Sequence, residues 1–381
     1  MKILVVSHEF PPIGGGGANA CFFLTREFVK QGHEVTVLTA KYMDQAEEEI
    51  TDEQVRIYRV KCLRKNKEKS NFPEMFTFLF NAWFKAEKLQ AENKYDICLT
   101  FFGIPSGPIA LHLKNKYGLP YIVRFGGGDI PGAQKRFKYV YKVLAPTIRK
   151  IWREAGGLIA NSEGLKLRAQ NFDDNYTIDV IENGVDNQFF IPDSEKTETD
   201  TIKILFVSRL IEGKGLQYLI PQMELIAHNV FERCSKKVQL VIVGDGPYRK
   251  QLEEITADTH AEQYVSFEGR KNKEEVRNYY REANIFVLPS LSEGMPNVVL
   301  EAMASGLPIV MTPCEGSKEL VEGNGIISSL EELSDNITKL CIDENLRKTM
   351  GLESVKRVKQ RFQWESIARR YLLLLREKAR K

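Results

Sequence analysis

Two glutamates eight positions apart, Glu293 and Glu301, bracket a Gly294-Met295-Pro296-Asn297 turn and a short apolar run in "SEGMPNVVLEA" (292–302). Upstream, "VSRLIEGKGLQYL" (207–219) sets Arg209 directly behind a β-branched run, with Lys214 five residues on. A guanidinium fork and an ammonium at one strand end suit a diphosphate, and carboxylates accept hydrogen bonds from hydroxyls. Pro296 suits a first helical position, so the amides of Met295 to Val298 would point from the helix start toward an anion. Glu301 would lie about one turn further in, and Glu293 would stay in the loop. One carboxylate can then meet hydroxyls on one side of a bound phosphate, and the other those on the far side. A sugar nucleotide has that shape. The plainer reading stays open: Glu293 complements a helix dipole while Glu301, Arg209 and Lys214 are solvated charges.

Glycines gather at three further turns. "SHEFPPIGGGGAN" places Gly14 to Gly17 between the first strand and the first helix, where the backbone at Gly15, Gly16 and Gly17 could approach a phosphate. "FGGGDIPG" (125–132) follows another strand and holds Asp129, which could grip a hydroxyl or just turn the chain. "VGDGPYRKQL" sets Gly244 and Gly246 behind a strand of the second half, as a ligand approach or a tight turn. None is a complete G-x-G-x-x-G fingerprint or a P-loop ending in G-K-[ST].

The elements that must position these residues alternate. Strand-like runs "KILVVS" (2–7), "EVTVLTA" (34–40), "DICLTFF" (96–102), "YIVRF" (121–125) and "GLIANS" (157–162) are separated by helical or turn-rich sequence. A polar stretch, 191–201, reads as a linker, after which "IKILFVS", "VQLVIVG", "YVSFEG", "NIFVLPS" and "GLPIVMT" repeat the rhythm. The expected fold is α/β: two Rossmann-like doubly wound domains, 1–190 and 202–362, facing a central cleft. A closing helix (363–381), with Ile367, Tyr371, Leu374 and Leu375 on one face, is expected to cross back to the first domain.

At 381 residues, 43% hydrophobic and 28% charged, the chain has the profile of a two-domain globular protein rather than a disordered or fibrous one. Its net charge of +3 implies little about partners. The six cysteines are scattered, without a C-x-x-C pair, so neither a zinc site nor a disulfide framework is indicated and a reducing cytoplasm is expected. The start carries too few apolar residues for a signal peptide, and no apolar run approaches a membrane span.

As an ordered set, the glycine loop followed by "GHEVTVLT", "ANSE" (160–163), "IENGVD" (181–186), Arg209 in "SRL", Lys214 in "KG", "VGDGP", "FEGR" and "PSLSEGMPNVVLEAMASGLPIV" resembles one family. It is glycosyltransferase family 4, retaining nucleotide-sugar-dependent enzymes of the B-type glycosyltransferase fold. The resemblance spans nearly the whole chain. It implies that the second domain binds a nucleoside diphosphate sugar, with UDP the expected nucleotide. Arg209 and Lys214 would hold the diphosphate, Glu301 the ribose, Glu293 with the Gly294–Asn297 backbone the transferred sugar, and Arg270 would sit beside the base. It implies front-face transfer with retained configuration, assisted by the leaving phosphate, and no cofactor or metal; the chain has no Asp-x-Asp. Many members carry a histidine in an "H-G-x-D" turn of the first domain, where this chain has Gly126. Asp129 and Arg124 are the nearby candidates for that role, with His8 a weaker one.

The acceptor, a glycan or a lipid-linked one, falls to the first domain. Residues 111–170 hold twelve Lys or Arg against three Asp or Glu. "KRFKYVYKVLAPTIRKIWREA" (135–155) interleaves cations with aromatic and apolar residues, as an interfacial helix would, so Arg124, Lys135, Arg136 and Lys138 are candidate contacts to acceptor or anionic membrane. "FPEMFTFLFNAWFKAEKL" (72–89) reads as a core helix, with membrane contact the alternative. No nucleic-acid-binding motif accompanies the charge. The expectation is a cytoplasmic transferase, peripheral to the membrane if the basic patch touches it. Its rivals are a sugar-nucleotide epimerase, a sugar-binding protein without catalysis, and a nicotinamide dehydrogenase, which lacks its fingerprint.

Overall fold

The computed structural model describes residues 1–67, 70–132, 138–197 and 199–380. Two units form: Met1–Asn183 with Trp364–Lys381, and Gly184–Gln363.

In the first unit the strands are β1 (Lys2–Ser7), β2 (Glu34–Ala40), β3 (Glu48–Ile50), β4 (Arg56–Val60), β5 (Ile97–Phe101), β6 (Tyr121–Arg124), β7 (Gly157–Ala160) and β8 (Ile178–Val180). They order as β3-β4-β2-β1-β5-β6-β7-β8, parallel except for β3. Successive side chains of a strand point to opposite faces, so Ile3 and Val5 enter one core and Leu4 and Val6 another. Helices cover both faces, which is why the strands read as continuous apolar runs. The helix Trp364–Ala379 buries Ile367, Tyr371 and Leu375 in the same core as Ile3 and Val5, with Trp364 stacked on Phe23 at 5.6 Å. The closing helix therefore belongs to the first unit.

The second unit has β9 (Thr201–Val207), β10 (Lys237–Val243), β11 (Val265–Gly269), β12 (Ile285–Leu288), β13 (Ile309–Met311) and β14 (Gly325–Ile327), ordered β11-β10-β9-β12-β13-β14 and all parallel. Both sheets are doubly wound: the order reverses beside β1 in one and beside β9 in the other.

The division falls at Asn183, ahead of the polar stretch 191–201. That stretch and the residue before it are anchored within the second unit: Phe190 lies edge-on to Tyr280, Pro192 packs against Gly306, and Asp193 pairs with Arg281 at 3.0 Å. Val185 bridges Gln363, so the chain enters and leaves this unit side by side.

One expectation for the first unit changes, and one residue of another. Arg124 is buried, donating to Asn183 Oδ1 at 2.6 Å and lying 4.8 Å from the Phe101 ring, so it holds the interior rather than presenting a charge to an acceptor or membrane. In the basic stretch, Lys135 and Arg136 lie outside the described residues and Lys138 opens the helix Lys138–Glu154. That helix buries Tyr141, Ile148, Ile151 and Trp152, and Trp152 packs 4.9 Å from Phe125. Its most amphiphilic residue therefore serves the core.

Candidate functional site

Ligands of doubly wound sheets bind beyond the carboxyl ends of the strands where the order reverses. In the second unit those are β9 and β12, whose loops carry Arg209 and the "SEGMPN" turn.

Arg209 sits in the turn after β9, and its Nε is buried without a hydrogen-bond partner among the described residues. Two glycines let its loop take that course. A Cβ on Gly244 would collide with the Ser208 carbonyl, and one on Gly246 with the Leu210 carbonyl; Tyr248 N also bonds Leu210 O at 3.1 Å. Sequence alone offered both as a ligand approach or a tight turn; in the structure they approach the loop bearing Arg209. Gly246→Ala is accordingly expected to cost about 3 kcal/mol through overpacking, read as a fall in the urea midpoint. A neutral outcome would mean that this loop has slack.

Lys214 is tied to the neighbouring loop. Gly215, at φ +76°, fits against the Pro289 carbonyl where any side chain would collide, and Leu291 N bonds Gly213 O at 3.0 Å. This brings the Lys214 ammonium onto the Glu293 carboxylate, with the two side chains 18% and 13% exposed. Glu293 is held in turn by a residue that the sequence reading missed. Glu315, in the loop after β13, accepts from Glu293 N at 3.0 Å and from the Ser292 hydroxyl at 3.3 Å. Gly316 backs the turn, being too close to the Gly294 carbonyl for a side chain.

The helix after this turn is Asn297–Ala304, so Pro296 is its N-cap rather than its first residue. With φ −72° and ψ 115° it is extended, and its carbonyl takes Val299 N at 3.1 Å. Met295 is buried, and Asn297 and Val298 open the helix beside it. Glu301, one turn in, takes a hydrogen bond at 3.0 Å from the hydroxyl of buried Tyr280. Arg270 follows β11 and is exposed.

Burial pushes the Glu301 carboxyl from 4.5 up to about 7, against the Tyr280 hydrogen bond and the Lys273 charge that favour ionisation. The folded protein then holds a proton that the unfolded chain releases. The associated stability is complete below pH 4.5 and lost as pH rises through about 7. Glu301→Gln removes this dependence. Its unfolding free energy relative to wild type is expected to rise, by at most about 3 kcal/mol, between about pH 5 and pH 8 in urea titrations. A constant difference would show that Glu301 ionises normally.

In the first unit, Gly15 caps the helix Gly16–Lys30 and faces open space, so the glycine turn is a helix start as expected. Asp129 faces inward. Its carboxylate takes Gly103 N at 2.6 Å and Gly126 N at 2.8 Å, and burial raises its pKa. It clamps the loops after β5 and β6 together instead of reaching outward. At Gly126 the ring of Phe102 fills the space a side chain would need, and the same ring lies against Gly17. Phe102 also meets His8 edge-on at 4.7 Å. His8 is buried and its pKa is lowered to about 4 by desolvation, so it is neutral near pH 7.

Two parallel α/β units with cation and carboxylate loops at strand ends define a class, the B-type glycosyltransferase fold. Residues 14–189 match the family model "Glycosyltransferase Family 4" and residues 201–343 match "Glycosyl transferases group 1". The chain belongs to these glycosyltransferases. It is 28% identical to an uncharacterised glycosyltransferase of Methanocaldococcus jannaschii, covering 97% of this chain and 96% of that one. It is 25% identical to the gpi3 subunit of the phosphatidylinositol N-acetylglucosaminyltransferase of Schizosaccharomyces pombe, over 96% of this chain and 78% of that one. Among solved structures, sucrose-phosphate synthase from Thermosynechococcus elongatus superposes with a TM-score of 0.83 at 21% identity, covering 99% and 98% of the two chains.

Proposed function

We propose that this glycosyltransferase is a retaining enzyme that moves a sugar from a nucleoside diphosphate sugar, with uridine the expected base, to a glycan or lipid-linked acceptor. The observation that carries the reading is the Nε of Arg209, buried without a hydrogen-bond partner among the described residues, beside loops that hold Lys214 against Glu293. A buried guanidinium N–H without an acceptor is costly, and a diphosphate supplies one. Arg209 and Lys214 take the diphosphate, and the start of the Asn297–Ala304 helix adds its dipole. Glu301, positioned by the hydroxyl of buried Tyr280, meets the ribose hydroxyls, Glu293 faces the transferred sugar, and Arg270 lies on the side of the base. Charge on the leaving diphosphate is met by these groups without a metal or cofactor.

The lipid-linked acceptor draws support from the Schizosaccharomyces pombe relative, whose name specifies a phosphatidylinositol substrate. The test is incubation with UDP-, GDP- and ADP-sugars, following nucleoside diphosphate release with and without lipid and glycan extracts, and reading the anomeric configuration of the product. Acceptor-dependent release from one donor supports the reading. Failure to cleave any donor overturns it, and an inverted product overturns the stereochemistry alone.

A further inference from the structure

Four phenylalanines of the first unit face water: Phe72, Phe76, Phe80 and Phe84 are 42, 62, 58 and 58% exposed. All lie on the helix Phe72–Asn93, spaced every four residues, so they form one slowly drifting row along its surface. Exposed Lys88 continues the row. The opposite face is already satisfied by burying Phe78, Ala82, Ala86 and Leu89, so core packing does not account for the outer rings. A lone exposed phenylalanine needs no explanation; a contiguous row marks an interaction surface.

The strap before the helix gives that surface its charge. Leu63 N bonds Thr77 Oγ1 at 3.1 Å, Lys65 N bonds Glu74 Oε1 at 3.0 Å, and Asn81 donates to Lys61 O at 2.7 Å, so residues 61–65 run along the helix. Exposed Leu63 extends the apolar patch, and exposed Lys61 and Lys65 border it. From Phe72 to Phe84 the only acid is Glu74, which is buried and occupied by the amides of Asn71 and Lys65. Lys61 meets a counter-charge in Glu47, at 3.9 Å.

We propose that this face docks on an anionic lipid bilayer, with the four rings entering the boundary between headgroups and acyl chains and Lys61 and Lys65 at the phosphates. The site differs from the basic stretch 135–155, whose Trp152 is committed to the core.

The experiment is co-sedimentation of the full chain, without sugar donor, with vesicles of phosphatidylcholine alone or mixed with phosphatidylglycerol, at low and high salt. Its outcome is thereby independent of the transferase reading. Binding to the mixed vesicles, weakening as salt rises, is expected. Phe76→Ser with Phe80→Ser should lower partitioning at least about tenfold, and Lys61→Gln with Lys65→Gln about fivefold per lysine. Tyr139→Ser with Val143→Ser, exposed on another helix of this unit, should leave it unchanged. Thermal melts check that the variants are folded, and if the phenylalanine pair fails to fold, Phe84→Ser and the lysine pair carry the test. The proposal is overturned if wild type ignores the mixed vesicles, or if the Tyr139 pair, not the Phe76 pair, abolishes binding. It is equally overturned if gel filtration without lipid shows a dimer that the Phe76 pair dissociates, because a second copy would then cover the row.

Discussion

Glu293→Ala is expected to cut sugar transfer by about a hundredfold to a thousandfold while leaving nucleoside diphosphate affinity unchanged or tighter. The asymmetry follows from the ion pair. With Glu293 in place, the Lys214 ammonium is partly neutralised before any donor arrives. Removing the carboxylate releases that charge for the diphosphate, yet takes away the group assigned to the transferred sugar. Lys214→Ala does the reverse: it deletes a phosphate contact and leaves a half-buried carboxylate facing an incoming anion, so affinity should fall by more than one lost contact. Calorimetry with the nucleoside diphosphate separates the two, and steady-state kinetics give the transfer loss. Equal loss of nucleotide affinity in both variants would defeat this division of labour. Glu315→Gln is a useful companion, since it loosens the Glu293 amide and the Ser292 hydroxyl without removing the sugar-facing group.

Most of the parallel strands were legible because they are largely buried on both faces, and a continuous apolar run between turn signals is what such burial requires. The strands β3, β4, β8 and β14 were not: β3, β8 and β14 are three residues long without β13's full burial, and β4 carries Arg56 and Arg59 among its five residues. Arg209, Lys214, Glu293 and Glu301 could be found because each stands just behind a strand or just inside the next helix, positions that can be counted along the chain. Their supports could not. Tyr280 reaches Glu301 from another helix, and Glu315 reaches Glu293 from the next strand's loop; only the sheet order makes them neighbours. The same limit explains Asp129 and Gly126. A glycine-rich turn with an acid looks like a ligand grip in sequence, but here the acid bonds two loop amides and the room beside the glycine is taken by Phe102. In the helix Phe72–Asn93 the aromatic run divides: Phe78 is core, whereas the row at four-residue spacing faces out.

Arg209→Met should separate function from stability in the opposite sense to an ordinary core substitution. The Nε of Arg209, buried without an acceptor among the described residues, is a desolvated donor, costing about 1 to 3 kcal/mol in the unliganded protein. Methionine keeps much of the length and apolar stem while removing that donor. The unfolding midpoint of the ligand-free variant is therefore expected to match or exceed that of wild type. With donor present the balance reverses, because the diphosphate loses its bidentate partner: kcat/KM should drop about a thousandfold, and the stabilisation that nucleoside diphosphate confers on wild type should largely disappear. Urea denaturation with and without the nucleotide reads both effects in one experiment. If Arg209→Met destabilises the ligand-free protein but retains the nucleotide-dependent shift, the arginine serves the loop after β9 rather than the donor, and the phosphate would rest on Lys214 and the start of the Asn297–Ala304 helix alone.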